Sequence, residues 1–295
     1  MKRLLLILNP MAGMRRGRRQ LADVVEIFNR AGYLVQTYIT AGQGDAAVAA
    51  ETLSEGMDLV VCAGGDGTFN ETVAGLLRSG RDIPMGYLPC GSTNDFANSL
   101  KLPTSLTKAA REIVTGVPVP LDVGLFAGRH FTYVASCGAF TKASYATPQN
   151  VKNALGHLAY VLEGLGEISQ IRPIPLRLEL PDRVIEDEFL FCAISNSTSV
   201  GGILTLDPKQ VDMSDGNFEV LLVRQPRDAQ EIGQCLRALQ NQKYNCSMMT
   251  FLSTPKVTVR CDPGISWTLD GEKAEGSEEI TVENCHHAIR LMKKG

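Results

Sequence analysis

The chain is bounded first by what it does not contain. Nowhere does it carry an apolar run of about 20 residues, the length a membrane-spanning helix needs. Met1-Lys2-Arg3 before Leu4–Leu8 mimics a signal peptide, yet five apolar residues stopped by Asn9-Pro10 are too few for its hydrophobic segment. The eight cysteines (62, 90, 137, 192, 235, 246, 261 and 285) form no C-x-x-C pair and no zinc spacing. Several lie in apolar runs, so free buried thiols in a reducing cytosol are expected. Basic charge is not in excess either. A formal net charge of −3 argues against general nucleic-acid binding, and no nucleic-acid partner is expected. Two common phosphate loops are also missing. No Gly-Lys-Ser/Thr follows a glycine-rich run, and Gly65-x-Gly67 leads to Asn70 where a dinucleotide fingerprint wants a third glycine. The expectation is a cytoplasmic protein whose membrane contact is peripheral.

What is present fits a globular protein of two domains. The chain has 295 residues, 44% hydrophobic and 21% charged. Its most informative stretch is Val60-Val61-Cys62-Ala63-Gly64-Gly65-Asp66-Gly67-Thr68-Phe69-Asn70-Glu71. Met57–Cys62 reads as a buried strand, and the glycines strip side chains from the turn that follows. Thr68 and Glu71 have capping-box spacing, which predicts a helix from Phe69 with Thr68 as its N-cap. Phe69, Val73, Leu76 and Leu77 share one face, and Gly80 stops the helix. Strand, glycine turn and helix N-terminus together offer free N–H groups to an anion. The plainer alternative is an ordinary βα turn that uses Asp-Gly.

Strand and helix alternate through this region. Leu4–Leu8, Tyr33–Ile39, Met57–Cys62 and Ile83–Leu88 read as strands, separated by helices near Leu21–Phe28 and Asp45–Glu55. Such alternation predicts a mostly parallel, doubly wound sheet that binds ligands beyond the carboxyl ends of its strands. Asn9-Pro10-Met11-Ala12-Gly13 lies at that edge as a second candidate phosphate cradle, with Arg15, Arg16, Arg18 and Arg19 after it. The arginines are either a solvated helix start or an attractor of phosphate or anionic lipid. The loop Pro89–Ala97 brings Thr93, Asn94 and Asp95 to the same edge. Asp95 either caps a short helix or, with Asp66, orients a metal or a nucleotide.

From Val117 the pattern changes to short strands and hairpin turns, with a helical stripe at Val151–Ile171 and another helix near Ala229–Gln242. This predicts an antiparallel β-sandwich. The expected division is residues 1–123, rejoined by about 287–295, and residues 124–286. Two acidic turns stand out in the second part. Asp212-Met213-Ser214-Asp215-Gly216-Asn217 is either a simple turn or a cluster of oxygen ligands suited to Mg²⁺. Leu269-Asp270-Gly271-Glu272 is either a plain Asp-Gly hairpin without function or a rigid turn whose Glu272 carboxylate takes a proton from an attacking hydroxyl, and spacing alone does not choose.

Taken in order, these motifs resemble the bacterial soluble diacylglycerol kinase-like lipid kinases, which share a catalytic domain with sphingosine and ceramide kinases. They are Asn9-Pro10-x-Ala12-Gly13, Gly64-Gly65-Asp66-Gly67-Thr68-x-Asn70-Glu71, Gly91-x-Thr93-Asn94-Asp95-Phe96-Ala97, Asp215-Gly216 and Leu269-Asp270-Gly271-Glu272. The chain departs from the family at Cys90-Gly91-Ser92, where Leu-Gly-Thr is common, and around Asn196–Gly202, which often carries bulkier or basic residues.

The resemblance implies an ATP-binding α/β domain, a β-sandwich domain and an active site in the cleft between them. ATP contacts would come from Asn9, Thr40, Gly64, Gly65, Asp66, Gly67, Thr68, Phe69, Asn70, Thr93 and Asp95. Glu272 matches the general base with Asp270 beside it, and Asp215, flanked by Asp212 and Asn217, matches a magnesium site. The implied reaction transfers the γ-phosphoryl group of ATP to a lipid hydroxyl, with diacylglycerol or a related glycerolipid as acceptor at a membrane surface. A homodimer is a further expectation. The rival readings are a kinase of NAD and a catalytically silent regulator that binds nucleotide or lipid.

Overall fold

The computed structural model describes residues 1–138, 173–200, 204–225, 228–241, 243–244 and 246–294. The helix expected at Val151–Ile171 lies outside these residues, as do Gly201 and Gly202. The chain divides into two units, residues 1–123 with 286–295, and residues 124–285.

The first unit begins with β1 (Lys2–Leu8), whose residues Leu4–Leu8 are buried on both faces. A 3₁₀ turn at Ala12–Arg15 and the short α1 (Arg16–Arg19) lead into α2 (Leu21–Arg30). Then come β2 (Tyr33–Ile39), α3 (Asp45–Leu53), β3 (Leu59–Gly64), α4 (Asp66–Arg78), β4 (Met85–Pro89), α5 (Asp95–Ser99) and α6 (Leu106–Thr115). The strand order is β2-β1-β3-β4, all parallel, and the last strand of the chain adds Leu291 beside Met85 of β4, again parallel. On one face Val24 and Phe28 of α2 and Leu106, Ala109 and Ile113 of α6 pack on Leu4, Leu6, Leu59 and Val61. Helices α3 and α4 pack together, α3 touching β1 and α4 touching β3. Fully buried strands between helix layers explain the unbroken apolar runs in the sequence.

Chain order places the functional edge. From β1 the chain moves outward to β2, then returns past β1 to β3. The loops after β1 and β3 therefore diverge at a topological switch point, where such sheets hold ligands.

The second unit takes over within β5 (Val117–Phe126). It continues with β6 (Arg129–Phe131), β7 (Val134–Gly138), β8 (Ile174–Glu179), β9 (Val184–Ser195), β10 (Ser199–Val200) and β11 (Leu204–Thr205). After these come β12 (Phe218–Arg224), α7 (Ala229–Gln240), β13 (Met249–Thr254), β14 (Lys256–Arg260), β15 (Trp267–Leu269), β16 (Glu272–Ala274) and β17 (Glu279–Lys293). The first half of β9 pairs with β8, and its second half lies between β7 and β12, so this strand serves two sheets. One sheet runs β16-β15-β7-β9-β12-β13 and the other β9-β8-β14-β17, every pairing antiparallel. Between them Cys137, Ile194, Val220, Leu222 and Trp267 meet Leu176, Leu178, Val257, Val259, Ile280 and Val282. Their alternation along each strand gives the sandwich core. All eight cysteines are free thiols.

Candidate active site

In the first unit three loops converge at the carboxyl edge of the sheet. Asn9, just beyond β1, donates its backbone N–H to Ala63 O at 2.9 Å and its side-chain amide to Thr68 Oγ1 at 2.9 Å. Its Oδ1 accepts Met11 N–H at 3.0 Å, which folds the Asn9–Gly13 loop back. Gly64 O accepts Cys90 N–H at 2.7 Å, joining the loops after β3 and β4. Where the loops cross there is no room for side chains. A Cβ on Gly91 would stand 2.7 Å from Gly65 Cα, and one on Gly13, already at φ +50, would overlap the carbonyl oxygen of Cys90. The result is a cradle of bare backbone over the N-terminus of α4. Thr40, just beyond β2, is buried and donates its N–H to Leu8 O at 2.9 Å at the same edge of the sheet.

Helix α4 starts at Asp66 with Gly65 as N-cap, three residues before the start predicted from the capping box. The reason is that Glu71 caps a different helix. Its carboxylate accepts N–H groups of Gly44 at 2.7 Å and Ala46 at 3.3 Å, at the N-terminus of α3. Thr68, released from capping, is the partner of Asn9. Because the first N–H groups of a helix have no partner within it, the earlier start makes Gly67 and Thr68, next to Asp66, part of the first turn that faces the cradle.

Asp66 is buried, and its carboxylate accepts Asp95 N–H at 3.1 Å, Phe96 N–H at 3.4 Å and the Thr93 hydroxyl at 3.3 Å. It thereby caps α5 and sets the position of Thr93 and Asp95. Phe69 is fully buried between Tyr87, 4.4 Å away, and Phe96, 4.6 Å away, so its ring packs in the core and does not line the cradle. Asn70 is buried beside it in α4.

The second unit holds the other groups. Asp270 and Gly271, with φ of 51° and 81°, make the two-residue turn between β15 and β16. The buried Asp270 carboxylate accepts Thr132 N–H at 2.6 Å, the Thr132 hydroxyl at 2.9 Å, Tyr133 N–H at 2.9 Å and Val134 N–H at 3.0 Å. These are the residues at which β6 passes into β7, so one carboxylate binds the turn to that connection. Burial pushes the Asp270 carboxyl from 3.8 up to about 6, against the pull of these donors. Glu272 follows on β16. Its Oε2 meets Arg129 Nη2 at 2.6 Å, and Arg129 also donates to Lys273 O at 3.1 Å. Arg129 was not singled out from the sequence.

The acidic turn before β12 is a pair of side-chain-closed turns. Asp212 Oδ1 accepts Ser214 N–H at 3.0 Å and its hydroxyl at 2.7 Å, and Asp215 Oδ1 accepts Asn217 N–H at 2.8 Å. Next to it lies a group the sequence reading did not pick out. Glu219 is 2% exposed, and its Oε2 has no hydrogen-bond partner among the described residues. Burial, then the charges of Asp215 and Asp212, push its carboxyl up to about 8. Phe218, Val220 and Leu222 of β12 face the sandwich core, so Glu219 lies on the opposite face of the sheet, where the strand pattern predicts no buried carboxyl. Among the described residues Asp212, Asp215 and Glu219 do not form a group of three ligand atoms within 4.8 Å of one another.

Comparison with known proteins gives the family. Residues 3–126 match the diacylglycerol kinase catalytic domain, and residues 134–293 match the YegS C-terminal NAD kinase beta sandwich-like domain. The diacylglycerol kinase of Bacillus subtilis (strain 168) is 34% identical over 274 residues, 92% of this chain and 90% of that one. The chain belongs to the diacylglycerol kinase family. It is a lipid kinase, a phosphotransferase with an alcohol group as acceptor, and its family uses a nucleoside triphosphate donor. The Staphylococcus saprophyticus diacylglycerol kinase is 30% identical over 273 residues, 92% of this chain and 89% of its own length. A crystal structure of a diacylglycerol kinase from Bacillus anthracis str. Sterne has the same fold, with a TM-score of 0.77 at 21% identity over 99% of this chain and 97% of that one. The NAD kinase alternative is not better supported by these relatives. No helix among the described residues is long and apolar enough to cross a membrane.

Proposed function

We propose that this lipid kinase phosphorylates diacylglycerol or a closely related glycerolipid, using ATP and Mg²⁺. The bare-backbone cradle and the first-turn N–H groups of Gly67 and Thr68 receive the triphosphate, with Asn9, Thr40, Thr93 and Asp95 around it. Glu272 accepts the proton of the lipid hydroxyl as its oxygen attacks the γ-phosphorus. The bond to the bridging oxygen of ADP breaks, and ADP leaves. Positioning and electrostatics carry most of the rate in such transfers. The observation that carries this reading is the clamp at Asp270, which mounts Glu272 on a rigid hairpin with one carboxylate oxygen on Arg129 and the other without a partner among the described residues. Asp66 and Phe69 support the cradle from beneath, Asp66 as the cap of α5.

Mg²⁺ is assigned to the turn bearing Asp212, Asp215 and Asn217, as an activating or structural ion. The unpaired buried oxygen of Glu219 beside two aspartates fits a cation there. Mg²⁺ keeps several waters and needs only one or two carboxylates, so a closed three-carboxylate cluster is not required. Bound, the ion supplies positive charge that the acidic turn lacks.

Lipid phosphorylation is proposed to occur at a membrane surface through peripheral contact, with the exposed Arg15, Arg18 and Arg19 facing anionic headgroups. Incubation with labelled ATP, Mg²⁺, NAD and a panel of lipids in vesicles tests the whole reading, and transfer to NAD alone overturns it. For the base, Glu272→Ala should lower kcat on the preferred lipid by about 10²–10⁴-fold while ATP binding stays nearly intact. Near-normal turnover in that variant would remove Glu272 from the mechanism.

A further inference from the structure

We infer that Asp122, His286 and His287 form a binding site for a first-row transition ion, Zn²⁺ foremost, separate from the magnesium assignment. All three residues belong to the first unit. They are the one group of three potential ligands among the described residues whose ligand atoms all lie within 4.8 Å of one another. Asp122, on β5, is fully buried with 0% exposure, while both histidines on β17 are exposed. Asp122 Oδ1 lies 3.0 Å from His286 Nδ1 and accepts His287 N–H at 2.8 Å.

The backbone is shaped to bring the two rings together. Consecutive residues of a strand point to opposite faces, so His286 and His287 should be separated by the sheet. Instead His287 sits at φ 52, in the left-handed region, and the two rings stack with centroids 3.6 Å apart. That conformation is strained for a residue other than glycine. The outcome is two imidazoles and a buried carboxylate on one side of the chain.

The donor chemistry selects the ion. Mg²⁺ and Ca²⁺ prefer oxygen ligands, whereas two imidazoles with one carboxylate suit Zn²⁺, Ni²⁺ and other ions later in the series. Bonds of about 2.0–2.1 Å need donors a little closer than the present spread, and the exposed rings can rotate to reach that distance. Bound ion would tie β17 to β5, so the expected effect is stabilisation of the first unit.

The test uses full-length protein stripped with EDTA and titrated calorimetrically with Zn²⁺, with Mg²⁺ as the comparison. Wild-type protein should take up one Zn²⁺ per chain at this site and melt at a higher temperature when loaded. His286→Gln and His287→Gln, both at exposed positions, should each weaken the binding by at least about tenfold. The double variant should lose the thermal shift. Because thiols also take Zn²⁺, Co²⁺ loading supplies a second readout, and a spectrum without thiolate charge-transfer bands is expected. Absence of saturable Zn²⁺ binding, equal binding by the double variant, or a thiolate spectrum would each overturn the site.

Discussion

Asp270 is the residue at which burial and hydrogen bonding oppose each other most directly. Its carboxyl is pushed up from 3.8 to about 6 because burial outweighs the four donors that hold its ionised form. A folded-state value above the unfolded one means stability that is fully present below about pH 4 and lost as the pH rises through about 6. Urea unfolding of wild-type protein and Asp270→Asn should therefore diverge between pH 4 and 7. The wild type is expected to lose roughly 3 kcal/mol more over that range, and parallel curves would contradict the assignment. Arg129 is the second residue of interest, because it fixes one oxygen of Glu272. Arg129→Ala should lower kcat about tenfold with little change in the KM for ATP, read in steady-state assays of lipid phosphorylation. An equal rise in the KM for ATP would place Arg129 in donor binding instead. The sequence could offer Glu272 because an Asp-Gly turn is a local pattern. It could not offer Arg129, whose partner lies 143 positions away. Nor could it offer Glu219, whose significance comes from burial and an unpartnered oxygen.

At the scale of elements, β2 follows directly from its residues, because the strand read at Tyr33–Ile39 is the span observed. The start of α4 does not, since Thr68 and Glu71 satisfy the local rule while serving partners elsewhere. Strand β13 has a weak pattern, Met-Thr-Phe-Leu-Ser-Thr, and takes its identity from pairing with β12. Likewise β17 is longer than its apolar residues suggest, because polar positions such as Glu283 are paired to β14. The glycine turns separate local from tertiary demands. Gly80 has φ +67 with nothing near its missing Cβ, so Gly80→Ala should cost about 1–2 kcal/mol, the left-handed penalty alone. Gly13 has φ +50 and faces the Cys90 carbonyl, so Gly13→Ala should cost about 3–5 kcal/mol by adding overpacking. It should also raise the KM for ATP, because the cradle opens. Equal unfolding midpoints for the two variants would deny the crossing of loops at Gly13.

For the molecule as a whole, the first unit is assembled from both ends of the chain. Leu291 pairs beside β4, Arg290 holds Asp82 at 2.7 Å, and Lys294 N–H reaches Glu112 at 3.2 Å. A chain ending at residue 285 should leave the edge of β4 open and the first unit loosened, although residues 1–123 are all present. Limited proteolysis should then cut within residues 1–123 faster than in the full chain, and unchanged digestion would show that the last strand is dispensable. The same feature has a consequence for biosynthesis. The glycine turn between β3 and α4 is synthesised well before β17, so the sheet that holds it gains its final strand only after the whole second unit has been made. Synthesis interrupted before residue 286 therefore yields a chain with the glycine turn in place and its supporting sheet unfinished, with the edge of β4 exposed as a template for pairing with other chains.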